Sequence, residues 1–69
     1  MPIKIKVSDL LGKHKMTNKE LAMLTGIRPN TITNLYYEEA KRIEFKQMAE
    51  LCKVFNCKIE DIFEYIEEE

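Results

Sequence analysis

Between Arg28 and Tyr37 the chain reads RPNTITNLYY. Arg28, Asn30, Thr31, Thr33 and Asn34 bring a guanidinium, two amides and two hydroxyls into one short stretch. A hydroxyl needs a neighbouring base to act as a nucleophile. The only histidine, His14, lies outside this stretch. The chemistry on offer is recognition by hydrogen bonds. An amide donates and accepts side by side, a guanidinium donates in a planar fork, and a hydroxyl does both. Such groups match the edges of nucleic-acid bases: Asn pairs bidentately with adenine, Arg with guanine, and a threonine methyl meets that of thymine. Pro29 to Tyr37 also contains no Lys or Glu, the usual residues of a merely solvated helix face.

Recognition of this kind needs a scaffold that presents the groups on one side. Ile32 and Leu35 stand three apart and form the buried side of a helix. Pro29 suits its first position, having a fixed φ and no N–H to lose. Thr25-Gly26 ends a preceding helix, because Gly26 takes positive φ without steric cost. That helix starts at Thr17, where Glu20 completes a capping box. Leu21, Ala22 and Leu24 are read as its apolar face, with Ala22 small where two helices meet. Residues 17–37 therefore describe a helix-turn-helix, whose second helix is shaped for a DNA major groove. In that geometry Arg28, Asn30, Thr31, Thr33, Asn34 and Tyr37 point outward.

The remaining segments read as support. Ile3, Ile5 and Val7 alternate with lysines, which predicts a strand over 1–7. A lone strand needs a partner. The C-terminal segment Phe63 to Glu67 is preferred over the same strand of a second subunit. Ser8 and Asp9 suit the start of a first helix. Gly12 weakens that helix, and Met16 locks it to the next. A charged loop follows Tyr37. A fourth helix runs from Phe45 to Phe55, with Phe45, Met48, Ala49, Leu51, Cys52 and Phe55 on or beside its apolar face and Asn56 ending it. Ile59 to Tyr65 reads as a fifth helical segment with Ile59, Ile62, Phe63 and Ile66 apolar. Residues 67–69 are a frayed acidic end.

Sixty-nine residues make one domain, 1–69, with a small core. No apolar run approaches a membrane span, and MPIKIKVSD is not a signal peptide, so the expected location is the cytoplasm. Cys52 and Cys57 read as reduced, buried thiols and lack the partners of a zinc site. Glu60, Asp61 and Glu64 lack the glycine and alternation of a calcium loop. No metal, cofactor or small-molecule ligand is expected, and no acid–base constellation suggests an enzyme. The net charge of −1 conceals a split. Residues 1–58 carry all 11 bases and six acids, a net +5, while residues 59–69 carry six acids and no base. Phosphate attraction decays over about 8–10 Å, so the placement of the acidic end matters more than the total.

The sequence resembles the Cro and phage-repressor (XRE) type of helix-turn-helix domain. The resemblance is carried by Thr17, Glu20, Leu21, Ala22, Gly26, Ile27, Ile32 and Leu35, and by MAELCKVFNC at Met48 to Cys57, and covers Ser8 to Tyr65. It implies an all-α, lambda-repressor-like bundle of about five helices. It also implies sequence-specific binding of double-stranded DNA, usually as a homodimer, in transcriptional regulation, with repression favoured over activation. Pro29, Asn30, Thr31 and Asn34 match the family's base-reading or groove-facing positions, and Arg28 and Thr33 join them as base-reading candidates by their outward placement. Pro29 departs from the polar residue common in the family and would supply shape or an apolar contact. Lys41 and Arg42 match the family's backbone-contacting segment, and Asn18 and Lys19 in the first turn of the second helix, Lys46 at the start of the fourth and Tyr37 are further candidates for the DNA backbone. One of the rings of Tyr36 and Tyr37 is assigned to packing. Glu38-Glu39 stands where the family often has Asn-Gly and is expected to repel phosphate. A second reading keeps the fold but replaces DNA by a protein partner, on the strength of Glu38-Glu39 and the acidic end.

Overall fold

The computed structural model describes residues 2–67. The elements are β1 (Ile3–Ile5), α1 (Val7–Lys13), α2 (Asn18–Thr25), α3 (Pro29–Tyr36), α4 (Phe45–Phe55), α5 (Ile59–Ile62) and β2 (Phe63–Tyr65). The five helices enclose one core of Ile5, Val7, Leu11, Leu21, Ala22, Ile27, Ile32, Leu35, Leu51, Phe55 and Ile62. This is the expected five-helix bundle, with a small two-stranded sheet at its edge.

Local chemistry explains where the helices start and stop. At α2 the Thr17 hydroxyl accepts from the Glu20 N–H at 3.1 Å, and the Glu20 carboxylate accepts from the Thr17 N–H at 3.1 Å. Gly26 ends α2 at φ 73°, and its N–H donates to the Ala22 carbonyl. Pro29 is the first residue of α3. The Gln47 side chain accepts from the Glu44 N–H at 3.1 Å and so satisfies a donor at the start of α4. Asn56 ends α4 in the left-handed region at φ 51°. The four residues of α5 are held at their start by the Asp61 carboxylate, which accepts from the Lys58 N–H at 2.9 Å.

β1 pairs antiparallel with β2, placing Ile3 opposite Tyr65 and Ile5 opposite Phe63. The strand is therefore completed by the C-terminal segment of its own chain. It is shorter than the alternation suggested. The Lys6 N–H donates to the Ile62 carbonyl at 2.7 Å, and the Lys6 carbonyl already accepts from Leu10. Val7 is thereby the first residue of α1 and is fully buried. Ser8 lies inside the helix and does not cap it. At the other end the helix expected over Ile59 to Tyr65 stops at Ile62, because Phe63 turns extended to pair with β1. Ladder bonds outweigh the continuation of a short, marginal helix.

The apolar faces also need correction. Leu24 is 59% exposed and Thr25 takes its place against the core. Leu21, Ala22 and Thr25 span one continuous arc of the helix, and Leu24 falls outside it. Phe45 is 89% exposed and Ala49 is exposed as well. Measured from the stripe through Leu51 and Phe55, Phe45 lies about a quarter-turn away and Ala49 more than that. Ile59 and Ile66 are exposed too. Cys52 and Cys57 are free and half-buried. Of the expected acidic end, Glu67 is exposed, and Glu68 and Glu69 lie outside the described residues.

Thr25 shows how the corner between α2 and α3 is held. Its hydroxyl donates to the Leu21 carbonyl at 2.7 Å and accepts from the Ile27 N–H at 3.2 Å. Thr25→Val keeps the shape but leaves the Ile27 N–H without a partner, which should cost about 1–3 kcal/mol in urea unfolding. Thr25→Ser should lose less than that. Gly12 sits in the last turn of α1 with nothing within 4 Å of a built Cβ. Gly12→Ala should accordingly gain about 0.5–1 kcal/mol, read as a higher midpoint in the same experiment.

Candidate nucleic-acid interface

α3 is anchored by Ile32 and Leu35, neither of which retains any exposure. Their burial fixes the rotation of the helix and sets the opposite face outward. Pro29, Asn30, Thr33 and Asn34 are exposed on that face, and Arg28, the N-cap, is exposed just ahead of it. Thr31 is half-buried. It lines a cleft with Arg42, Ile43, Glu44 and Gln47, at the join of the α3–α4 loop and α4. The structure thus brings Thr31 and Arg42 together. Arg28 and Lys46 share a second cleft with Thr25 to Ile27, Glu44, Gln47 and Glu50. Lys46 is therefore set beside the start of α3 by the start of α4.

The other cations lie further out. Asn18 opens α2 and is half-buried, and Lys19 beside it is exposed. Lys41 and Arg42 are exposed in the loop after α3. Among the described residues the one ion pair, Lys6 with Glu64 at 3.5 Å, involves none of these cations. Neither ring of the Tyr36–Tyr37 pair is buried: Tyr36 is 36% and Tyr37 63% exposed, meeting edge to face with centroids 5.0 Å apart.

Glu38 behaves differently from the expectation. It takes positive φ, 57°, in the tight exit from α3 where Gly would be unstrained. Its carboxylate accepts from the Ile5 N–H at 2.9 Å. The sequence treated Glu38 as a free negative charge beside DNA. In the structure it ties the exit of α3 to the sheet. Nothing in local sequence signals a bond between residues 33 positions apart. Gln47 was missed as well, although its signal was present: Glu44-x-x-Gln47 has the spacing that Thr17 and Glu20 use. Ile66 lines a cleft with Ile3, Lys4 and Glu38.

The fold and the outward face of α3 can be set beside known proteins. The model of the Cro/C1-type HTH DNA-binding domain matches residues 6–68. The chain belongs to this family. It is 37% identical over 70 aligned positions to a protein of Archaeoglobus fulgidus called an uncharacterized HTH-type transcriptional regulator, with 97% of this chain and 93% of the relative covered. It is 33% identical to a protein of Bacillus subtilis called the uncharacterized HTH-type transcriptional regulator YozG, with 100% of this chain and 82% of the relative covered. This Cro/C1-type domain is thus a DNA-binding domain of the transcription-regulator kind. No helix among its described residues is long and apolar enough to cross a membrane.

The structural role of Glu38 has a direct check. Glu38→Ala should lower stability by about 1 kcal/mol, because the Ile5 N–H loses its acceptor. Glu38→Gln keeps an oxygen in place and should lose less. Both are read from chemical denaturation midpoints.

Proposed function

We propose that this domain reads a specific operator by inserting α3 into the major groove of double-stranded DNA and acts as a transcriptional repressor by occluding the site. One observation supports this above the others. The outward face of α3 is built from short amides and hydroxyls, on a helix whose rotation is locked by Ile32 and Leu35. Asn30 and Asn34 suit adenine edges, Arg28 suits guanine, and the methyls of Thr31 and Thr33 suit thymine. Pro29 supplies shape at the helix start.

Around that face Asn18, Lys19, Lys41, Arg42, Lys46 and Tyr37 contact sugar and phosphate and set the register. Half-sites about 34 Å apart would call for two copies related by two-fold symmetry. Ile3, Tyr65 and Ile66, apolar and exposed around the sheet, are available for that contact. Assembly on the operator fits so small a domain, acting in the cytoplasm without a small-molecule ligand.

The test is selection from a random duplex pool at low salt, followed by titration of the recovered site. A consensus is expected, with log K falling by about 0.9 per phosphate neutralised as log salt rises. Asn34→Ala should cost about 1–3 kcal/mol on the preferred duplex and relax the preference at one position. Lys41→Ala should weaken all duplexes alike and reduce the salt slope by about 1. Recovery of no consensus would sink the reading. A polypeptide captured through the acidic end, with binding that survives nuclease, would replace it by a protein-partner role.

A further inference from the structure

Two thiols meet at the corner between α4 and α5. α4 ends at Phe55, Asn56 turns left-handed, and the chain reverses toward α5. The Cys57 N–H donates to the Cys52 carbonyl at 3.0 Å, and the Asn56 N–H donates to the Lys53 carbonyl at 3.4 Å. This nested pair of bonds is the Schellman helix ending, in which the side chains flanking the longer bond commonly touch. Those two side chains are both cysteines here. Standard bond lengths around the 3.0 Å hydrogen bond limit the separation of their Cα atoms to about 7 Å. Disulfides span Cα separations up to about 6.8 Å, so the hydrogen bond keeps the two residues at or within the edge of that range.

The surroundings of the pair allow an oxidant to reach it. Both residues are half-buried and free. Cys57 also lines an open cleft between α1 and the end of α4, with Leu10, His14 and Phe55. Burial pushes the Cys57 thiol up from its usual 9.0, helped by the neighbouring Cys52 and by Asp61. The cysteine is thus mostly protonated at neutral pH. A thiol is a poor nucleophile compared with its thiolate, so attack on peroxide, like exchange with other disulfides, draws on a small thiolate fraction and is slow.

We propose that Cys52 and Cys57 form an intramolecular disulfide site, closed by peroxide, that staples the end of α4 to the start of α5. The reaction balances as two thiols and one hydrogen peroxide giving one disulfide and two waters. Peroxide first converts one sulfur to a sulfenic acid, releasing one water. The second sulfur then attacks the first, an S–S bond forms, the S–O bond breaks, and the hydroxyl leaves as water with the proton of the second thiol. The closed form fixes the corner from which α5 leads into β2.

The full chain, folded and reduced, is treated with hydrogen peroxide and then denatured for thiol counting and mass measurement. The expected result is a fall from two free thiols to none, a mass loss of two hydrogens, a monomer on a non-reducing gel, reversal by dithiothreitol and a raised Tm. Addition of oxygen to either sulfur without loss of hydrogens, cross-linking between chains, or thiols that persist would overturn the proposal. Asn56→Gly keeps the left-handed turn and both thiols, and should oxidise like the parent chain. Asn56→Val resists that turn and should close at least about ten times more slowly. Equal rates for Asn56→Val and the parent would show that the corner does not bring the thiols together, whatever Cys52→Ser or Cys57→Ser do to folding.

Discussion

Thr25 is buried at the end of α2, where a hydroxyl left without partners would be costly. It has both partners, donating to Leu21 and accepting from Ile27. Gly26 lies between those two contacts in the left-handed region. Together they determine the direction in which the chain leaves α2 and so the line along which Pro29 begins α3. Ile32 and Leu35 can fill the core only if that line is right. The outward set of Asn30, Thr33 and Asn34 follows from their burial. The outward face of α3 is therefore the far side of a packing solution, and its polar residues contribute little to holding it in place.

The second constraint acts at the other end of α3. Glu38 joins the helix exit to Ile5 of β1, and β1 is held by β2. The two strands thereby support the loop that carries Lys41 and Arg42. Ala40 and Ile43 pack against the core on either side of those cations. A loop anchored on both sides of its two cations presents their charges from a defined position at low entropic cost.

Much of this was legible because its causes are local. Thr17 with Glu20, Gly26, Pro29 and Asn56 each act within a few residues, and their roles in the structure are those the sequence implies. Ile32 and Leu35 were legible because a two-sided helix leaves little choice. Leu24, Phe45 and Ala49 were misread because apolar residues near a stripe look alike until the partner helices fix its width. Thr25 was hidden for the opposite reason: a threonine enters a core when backbone groups can pair with its hydroxyl, and that depends on the corner being formed. Glu38 could not be read at all. A carboxylate in a charged loop gives no hint that a strand from the far end of the chain will present a free N–H. The outward positions of Arg28, Asn30, Thr33 and Asn34 followed from helical geometry, while the grouping of Thr31 with Arg42 required the fold.

The pairing of Ile3 with Tyr65 has a consequence for the architecture of larger chains. It sets the entry and exit of the described segment side by side at one edge of the bundle. A unit whose ends are neighbours can be opened elsewhere and rejoined there, or spliced into a surface loop of a host, with little change to its interior. The charged turn between α3 and α4 would be a poor place for the cut, since Glu38 anchors it to the sheet. The exposed turn between α1 and α2, at His14 and Lys15, would be a better one. The short ladder that looks like an ornament on a helical bundle is what sets those two ends side by side.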